Sequence, residues 1–144
     1  MEIINFSAYK TYQLEILSKE LIYNKVDRLF IPHLRRLNEL PGIITQGCCV
    51  GHKNHRIKCN RKGIISLALS LKHYEFFKDE IEPIIKKESC VKSVDATIVC
   101  ARPENKISEP LLAIAIRFKR KMFNEFIKKV VNFIIEELEN KEQK

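Results

Sequence analysis

The sequence predicts an α/β (α+β) fold: a four-stranded, mostly antiparallel sheet with helices packed on one face, in the order α(α)-β-β-α-β-β-α. Three observations predict it. Segments that alternate apolar and polar residues, or are short and β-branched, come in two pairs, at 43–46 with 63–71 and at 91–100 with 112–118. Each pair is followed by a stretch whose apolar residues return every three or four positions, 73–87 and 121–139. No repeat, low-complexity linker or second set of elements interrupts the 144 residues, so 1–144 is expected to be one domain.

Residues 9–39 read as helix, because Leu14, Leu17, Leu21, Val26, Leu29, Phe30, Leu34 and Leu37 keep a period of about 3.6. Asn24 and Asp27 suit caps, so a break near 24–27 would divide it in two. Pro32 is best tolerated in a first turn and supports a helix starting just before it. Leu40-Pro41-Gly42 ends that helix. Ile43-Ile44-Thr45-Gln46 is a short strand. A loop rich in Cys, His and basic residues runs from Gly47 to Arg61. In 63–71, Ile65, Leu67, Leu69 and Leu71 share one face. The helix over 73–87 has a stripe of Phe76, Phe77, Ile81, Ile84 and Ile85. Val94, Ala96, Ile98 and Cys100 align on the next strand. Arg102–Pro110 is a polar turn. Leu112, Ile114, Ile116 and Phe118 line the last strand. The final helix carries Phe123, Phe126, Ile127, Val130, Val131, Ile134, Ile135 and Leu138.

The second and fourth strands are the most apolar and should lie in the middle of the sheet, with the other two at its edges. The resulting sheet is ferredoxin-like, permuted so that an edge strand comes first, with a right-handed β-α-β crossover.

Lys and Arg number 26 against 18 Asp and Glu, a formal net charge of +8. A basic surplus favours polyanions through release of condensed counterions. Its distribution is uneven. No acidic residue lies between Glu39 and Glu75, whereas Lys53, Arg56, Lys58, Arg61, Lys62 and Lys72 do. Arg117, Lys119, Arg120 and Lys121 form a second cluster. The apolar runs fall short of the ~18 residues that span a bilayer. Met1-Glu2 opens without a basic region, so no signal peptide and no membrane partner are expected. The five cysteines, at 48, 49, 59, 90 and 100, are odd in number and partly adjacent. That suits thiols in a reducing cytoplasm better than a disulfide framework. Cys90 and Cys100 flank a strand and read as small buried hydrophobes. His33 and His73 read as partly buried structural residues on helix faces.

The run Asn38-Glu39-Leu40-Pro41-Gly42-Ile43-Ile44-Thr45-Gln46-Gly47-Cys48-Cys49-Val50-Gly51-His52 goes from helix through a tight stop and a short strand into a Cys-x-Gly-His turn. Gly51 permits a sharp reversal there. Such a turn would gather backbone amides with the side chains of Cys49 and His52 around a pocket for an anion or a base edge. Phosphates would meet Lys53, Arg56, Lys58, Arg61 and Lys62.

The residues Lys25-Val26-Asp27, Ile31-Pro32, Leu37-Asn38, Leu40-Pro41, Thr45, Cys49, Gly51 and His52 fall in register with a known signature. Over residues 25–52 the chain resembles the tRNA wybutosine-synthesizing protein 3 family and its shorter relatives. The resemblance implies an RNA-associated protein acting in tRNA processing, with tRNA or another structured RNA as partner. Its finer implication is an S-adenosylmethionine-dependent methyltransferase acting on a tRNA base. It places Cys49 and His52 at the active turn, and Thr45, Cys48 and Gly51 against substrate or cofactor. Departures are specific: Gly47 and Cys48 stand where the family has paired serines, Val50 where it has serine, and His52 where it has arginine. The chain also has no Trp, unlike the enzymes.

The same loop has an alternative reading as a non-catalytic metal-binding or nucleic-acid-binding module. Cys49, His52, His55 and Cys59 offer thiolate and imidazole donors that suit a tetrahedral Zn²⁺. Lys53, Arg56 and Lys58 in the loop oppose a dication. Cys49 beside His52 also has the makings of an activated thiolate, without an identifiable third, orienting residue.

Overall fold

The computed structural model of the chain describes residues 3–4, 6–22, 28–49, 62–99, 107–108 and 111–142. In chain order the elements are β1 (Ile3–Ile4), α1 (Phe6–Ile22), a 3-10 turn (Arg28–Phe30) leading into α2 (Ile31–Glu39), β2 (Ile43–Cys49) and β3 (Lys62–Leu69). Then come α3 over 71–85, β4 (Val91–Val99), β5 (Ile107–Ser108), β6 (Leu111–Lys119) and, after a 3-10 turn (Arg120–Met122), α4 over 123–142. One π turn interrupts each of the last two helices, at Phe77–Ile81 and Ile127–Val131.

The main sheet has the order β2-β3-β6-β4, with every neighbouring pair antiparallel. The two most apolar strands, β3 and β6, take the middle, as their composition predicts. β3 and β4 therefore run the same way on either side of β6, and α3 joins them. Helices pack on one face, as expected. The break in the first helical region is also present: α1 ends at Ile22 and helical turns resume at Arg28. β1 and β5 add a two-residue parallel ladder outside the main sheet. Two residues are too few to show an alternation, so this ladder has no sequence signature.

The largest departure concerns β2. Its pattern predicts a strand ending at Gln46, but pairing continues to Cys49. Gln46 is the extra residue of a β-bulge, and the ladder resumes with Gly47 opposite Ser66, Cys48 opposite Ile65 and Cys49 opposite Ile64. A bulge shifts the period-two pattern by one, which hides the second half of the strand. Gly47, Cys48 and Cys49 are thus strand residues, not the start of a loop.

The core forms where β3 and β6 meet the helices. Phe118 pairs directly across the ladder with Gly63, and a side chain at Gly63 would overlap the Phe118 ring. The glycine gives that ring its seat. On its other side Phe118 stacks on Phe126 of α4, with centroids 4.0 Å apart and planes 13° from parallel. Phe30 meets Phe118 at 6.0 Å and Phe123 at 5.1 Å, both edge to face. These are favourable aromatic geometries. One ring on the sheet thereby holds the start of α2 and the start of α4.

A second junction lies at the opposite end of β3. Gly42, at φ 76°, completes the stop after α2, and His73 occupies the space a side chain there would need. The Ser70 amide donates to the Gly42 carbonyl at 2.9 Å. The opposite face of the sheet is not uniformly bare. Ile44, Ala68 and Ala113 lie side by side in register and are buried. Thr97, beside Ala113 on the edge strand, reaches solvent, as do Asp95 and Arg117 further along, and Arg117 donates to Asp95 at 2.8 Å.

Phe118 is fully buried. Phe118→Ala should therefore cost about 3–5 kcal/mol in urea unfolding, the usual range for emptying an aromatic core site. Gly63→Ala should also destabilise, by overpacking rather than by a cavity.

His33 on α2 buries its Nδ1 without a hydrogen-bond partner. Burial, then the nearby Arg36 charge, lowers its pKa below the ordinary 6.5. The unfolded chain therefore takes up this proton first. His33 contributes fully above pH 6.5, and that contribution erodes as pH falls through the lowered folded value. Urea midpoints below pH 6.5 should fall less steeply in His33→Gln than in the wild type.

Candidate nucleic-acid interface

Of the residues singled out by sequence, Thr45 is the one whose surroundings are fully defined. It is completely buried. Its amide donates to Asn38 Oδ1 at 2.9 Å, and its Oγ1 accepts from Asn38 Nδ2 at 3.0 Å. Both backbone and side chain of Thr45 are thus held by the last turn of α2. Thr45 positions β2 against α2 and offers no open surface to a ligand. Next to it Gln46 Nε2 donates to Tyr9 Oη at 3.0 Å, and Lys10 Nζ donates to the Leu40 carbonyl, tying α1 to the same corner.

Cys48 and Cys49 have a strand register, opposite Ile65 and Ile64. Lys62 opens β3 opposite Lys119. Gly51, His52, Lys53, His55, Arg56, Lys58, Cys59 and Arg61 lie outside the described residues, as does Cys100. The proposed gathering of Cys49 with His52, and the zinc set of Cys49, His52, His55 and Cys59, therefore also lie there. Among the described residues no three His, Cys, Asp or Glu side chains form a metal-binding group. Cys90 is a buried free thiol, as expected, and burial raises its pKa. Its thiolate is disfavoured, which makes it a packing residue.

What the fold does bring together is charge. β2 ends, β3 begins, β6 ends and β4 begins at one end of the sheet, because Cys49 pairs near Ile64, Lys62 opposite Lys119, and Val91 opposite Phe118. The Lys119 amide donates to the Cys90 carbonyl at 2.9 Å, closing β6 against the start of β4. The basic connection between β2 and β3 therefore springs from the end of the sheet that also carries Lys92, Lys119, Arg120 and Lys121. In sequence the bases at 53–62 and those at Arg117, Lys119, Arg120 and Lys121 read as two clusters, and Lys92 as part of neither, since a ladder between residues far apart in the chain has no local signal.

Another constellation was not visible in sequence. Ser70 Oγ lies 2.7 Å from His73 Nδ1, and His73 Nε2 lies 2.5 Å from Glu142 Oε1. The carboxylate can only accept, so it selects the tautomer with hydrogen on Nε2. Nδ1 then accepts from the Ser70 hydroxyl. The chain of contacts joins the first turn of α3 to the last turn of α4. Ser70-x-x-His73 at a helix start has the spacing of a capping box, whereas Glu142 is 69 residues away from His73. A separate groove of about 280 Å³ runs between α1 and α2, lined by Leu14, Leu17, Ile31 and Leu34. Its lining suits apolar groups rather than phosphates.

No family model and no curated protein matches the chain. Among solved structures the chain is similar to the PH1069 protein from Pyrococcus horikoshii, at 16% identity and a TM-score of 0.49, over 94% of this chain and 89% of that one. Among the described residues no helix is long and apolar enough to cross a membrane.

The paired contacts of Asn38 give a direct test. Asn38→Ala leaves two buried polar groups of Thr45 without partners and should cost about 2–4 kcal/mol in urea unfolding. Asn38→Asp keeps the acceptor for the amide, and the Thr45 hydroxyl can turn to donate, so its cost should be clearly smaller. Equal losses in the two variants would contradict this role for Asn38.

Proposed function

We propose that the protein is an RNA-associated protein of the wybutosine-synthesizing type, which docks tRNA or another structured RNA against the basic connection between β2 and β3. One observation carries the reading. In a chain with 18 acidic residues, none lies between Glu39 and Glu75, and five bases of that stretch cluster at 53–62, in or beside a single hairpin connection. Unpaired surface charge of one sign is costly to the folded state unless a partner neutralises it.

Chemistry at the base would fall to Cys49 and His52, with Cys48 and Gly51 beside them. Methyl transfer from S-adenosylmethionine rests on the resemblance over residues 25–52 alone. Thr45, assigned to substrate or cofactor by that resemblance, is closed to both, so no cofactor contact is built on it. The cofactor would supply the electrophilic methyl group. A cytoplasmic setting fits the odd, partly adjacent cysteines and the free thiol of Cys90.

Anisotropy of a fluorescein-labelled RNA stem-loop over a KCl series tests the docking. The logarithm of the binding constant should fall linearly with the logarithm of salt concentration. Arg56→Ala with Lys58→Ala should lower the slope by about 0.7–0.9 for each phosphate contact removed. Absent or salt-independent binding would overturn the proposal. Calorimetry with S-adenosylmethionine tests the cofactor separately.

A further inference from the structure

We infer that the groove between α1 and α2 is where two copies of this chain meet, on a two-fold axis running along the groove, with Glu15 of each copy against Arg35 of the other. The inference is independent of the RNA reading above.

The floor of the groove supplies the first reason. Leu17 and Leu34 are buried, Ile31 is half-buried, and Leu14 stands 39% exposed at the side of a hollow of about 280 Å³. Covering such a wet apolar floor is favourable. Leu14 is both a wall of the hollow and a projecting apolar knob. A two-fold contact needs one patch that complements itself, and a knob beside a hollow of matching chemistry meets that need.

The second reason is a charge pattern repeated with opposite sign. Leu14, Glu15 and Lys19 border the groove from α1, and Leu34, Arg35 and Glu39 border it from α2. The two sets share one spacing, so each helix turns the same kind of shoulder outward. Where one has an acid, the other has a base. All four charged residues are exposed, and none has an ion-pair partner among the described residues.

The third reason is level. α1 and α2 run antiparallel: Lys10 near the start of α1 donates to the Leu40 carbonyl just past the end of α2, and at the other end five residues separate Ile22 from Arg28. Glu15 lies five residues from Lys10 and Arg35 five from Leu40, about 7.5 Å along each helix. The two therefore stand level on opposite shoulders. A two-fold along the groove lays α1 of one copy over α2 of the other at unchanged level, which pairs Glu15 with Arg35 twice. The four helices then alternate in direction all round, the up-down arrangement of a four-helix bundle. Shoulders with two acids and two bases give a phosphate backbone no advantage, and they let copies of net charge +8 approach without repulsion at this patch.

Sedimentation velocity of the full chain from about 10 µM to about 1 mM tests this, a range suited to contacts of modest area. Wild type should move toward twice the monomer mass as concentration rises. Leu14→Glu should raise the dissociation constant about 30-fold or more, as loss of a central anchor does. Glu15→Arg alone and Arg35→Glu alone each create two like-charge contacts in the dimer and should stay monomeric across the series. Mixed one to one, these two variants should form a heterodimer, and Glu15→Arg with Arg35→Glu in one chain should restore the homodimer. Thermal melts of the charge variants should match wild type, since both sites are exposed and unpartnered; should Leu14→Glu melt early, the charge variants decide alone. A wild type that stays monomeric throughout would overturn the proposal. So would a dimer indifferent to both single reversals, or a failure of mixing to rescue them. A monomer that binds 1-anilinonaphthalene-8-sulfonate in a Leu14-dependent way would also overturn it and make the groove a site for a small apolar molecule.

Discussion

The seating of Phe118 on Gly63 is the interaction from which the rest of the arrangement follows. A ring on β6 needs a bare backbone opposite it on β3, and the chain offers one at Gly63. That fit sets the register of the two central strands. A slip by one residue would drive the ring into Ile64 or Lys62 and would send every side chain of the strand to the wrong face. With the register fixed, Phe126 and Phe30 close over the ring from α4 and α2, and the apolar stripes of both helices are committed to the same face. The next step along the ladder brings Lys62 and Lys119 together. The core contact and the exposed Lys119 are therefore adjacent consequences of one pairing.

That adjacency links stability to the proposed function. An end of a sheet that brings Lys92 and Lys119 of neighbouring strands together, with Lys121 exposed beside them, carries a repulsive cost. The aromatic cluster directly beneath makes it tolerable, because its burial is worth several kcal/mol against the modest repulsion of solvated lysines. Asn38 and Thr45 perform the corresponding task for β2. They bolt the edge strand to α2 at the point where the bulge would otherwise loosen it, and so fix where the basic connection leaves the sheet.

Much of the architecture could be read from the sequence because it depends on short-range patterns. Alternation in 63–71 and 112–118 marked the two inner strands, and the stripe from Phe123 to Leu138 marked the long final helix. The order of strands followed from which were most apolar. What could not be read depends on contacts between distant residues. The bulge at Gln46 shifted the pattern of β2 and made Gly47, Cys48 and Cys49 resemble a loop. The Ser70–His73–Glu142 chain joins the two ends of the helical layer. The meeting of Lys62, Lys92 and Lys119 at one end of the sheet needs the β3–β6 and β4–β6 ladders, which no window of sequence contains. Thr45 stood out in the signature for a ligand role, and its bonds to Asn38 instead give it a structural one. The residues at the centre of the chemical proposal, from Gly51 to Arg61, lie outside the described residues, so that part of the reading stands on sequence.

Hydrogen–deuterium exchange on the full chain, with and without a saturating RNA stem-loop, addresses the central claim most directly. Protection on binding should fall on 62–64, 91–93 and 117–121, the three strand segments that meet at the basic end of the sheet. Protection confined to the α1–α2 groove, around Leu14, Leu17 and Leu34, or no change at the sheet end, would contradict the account.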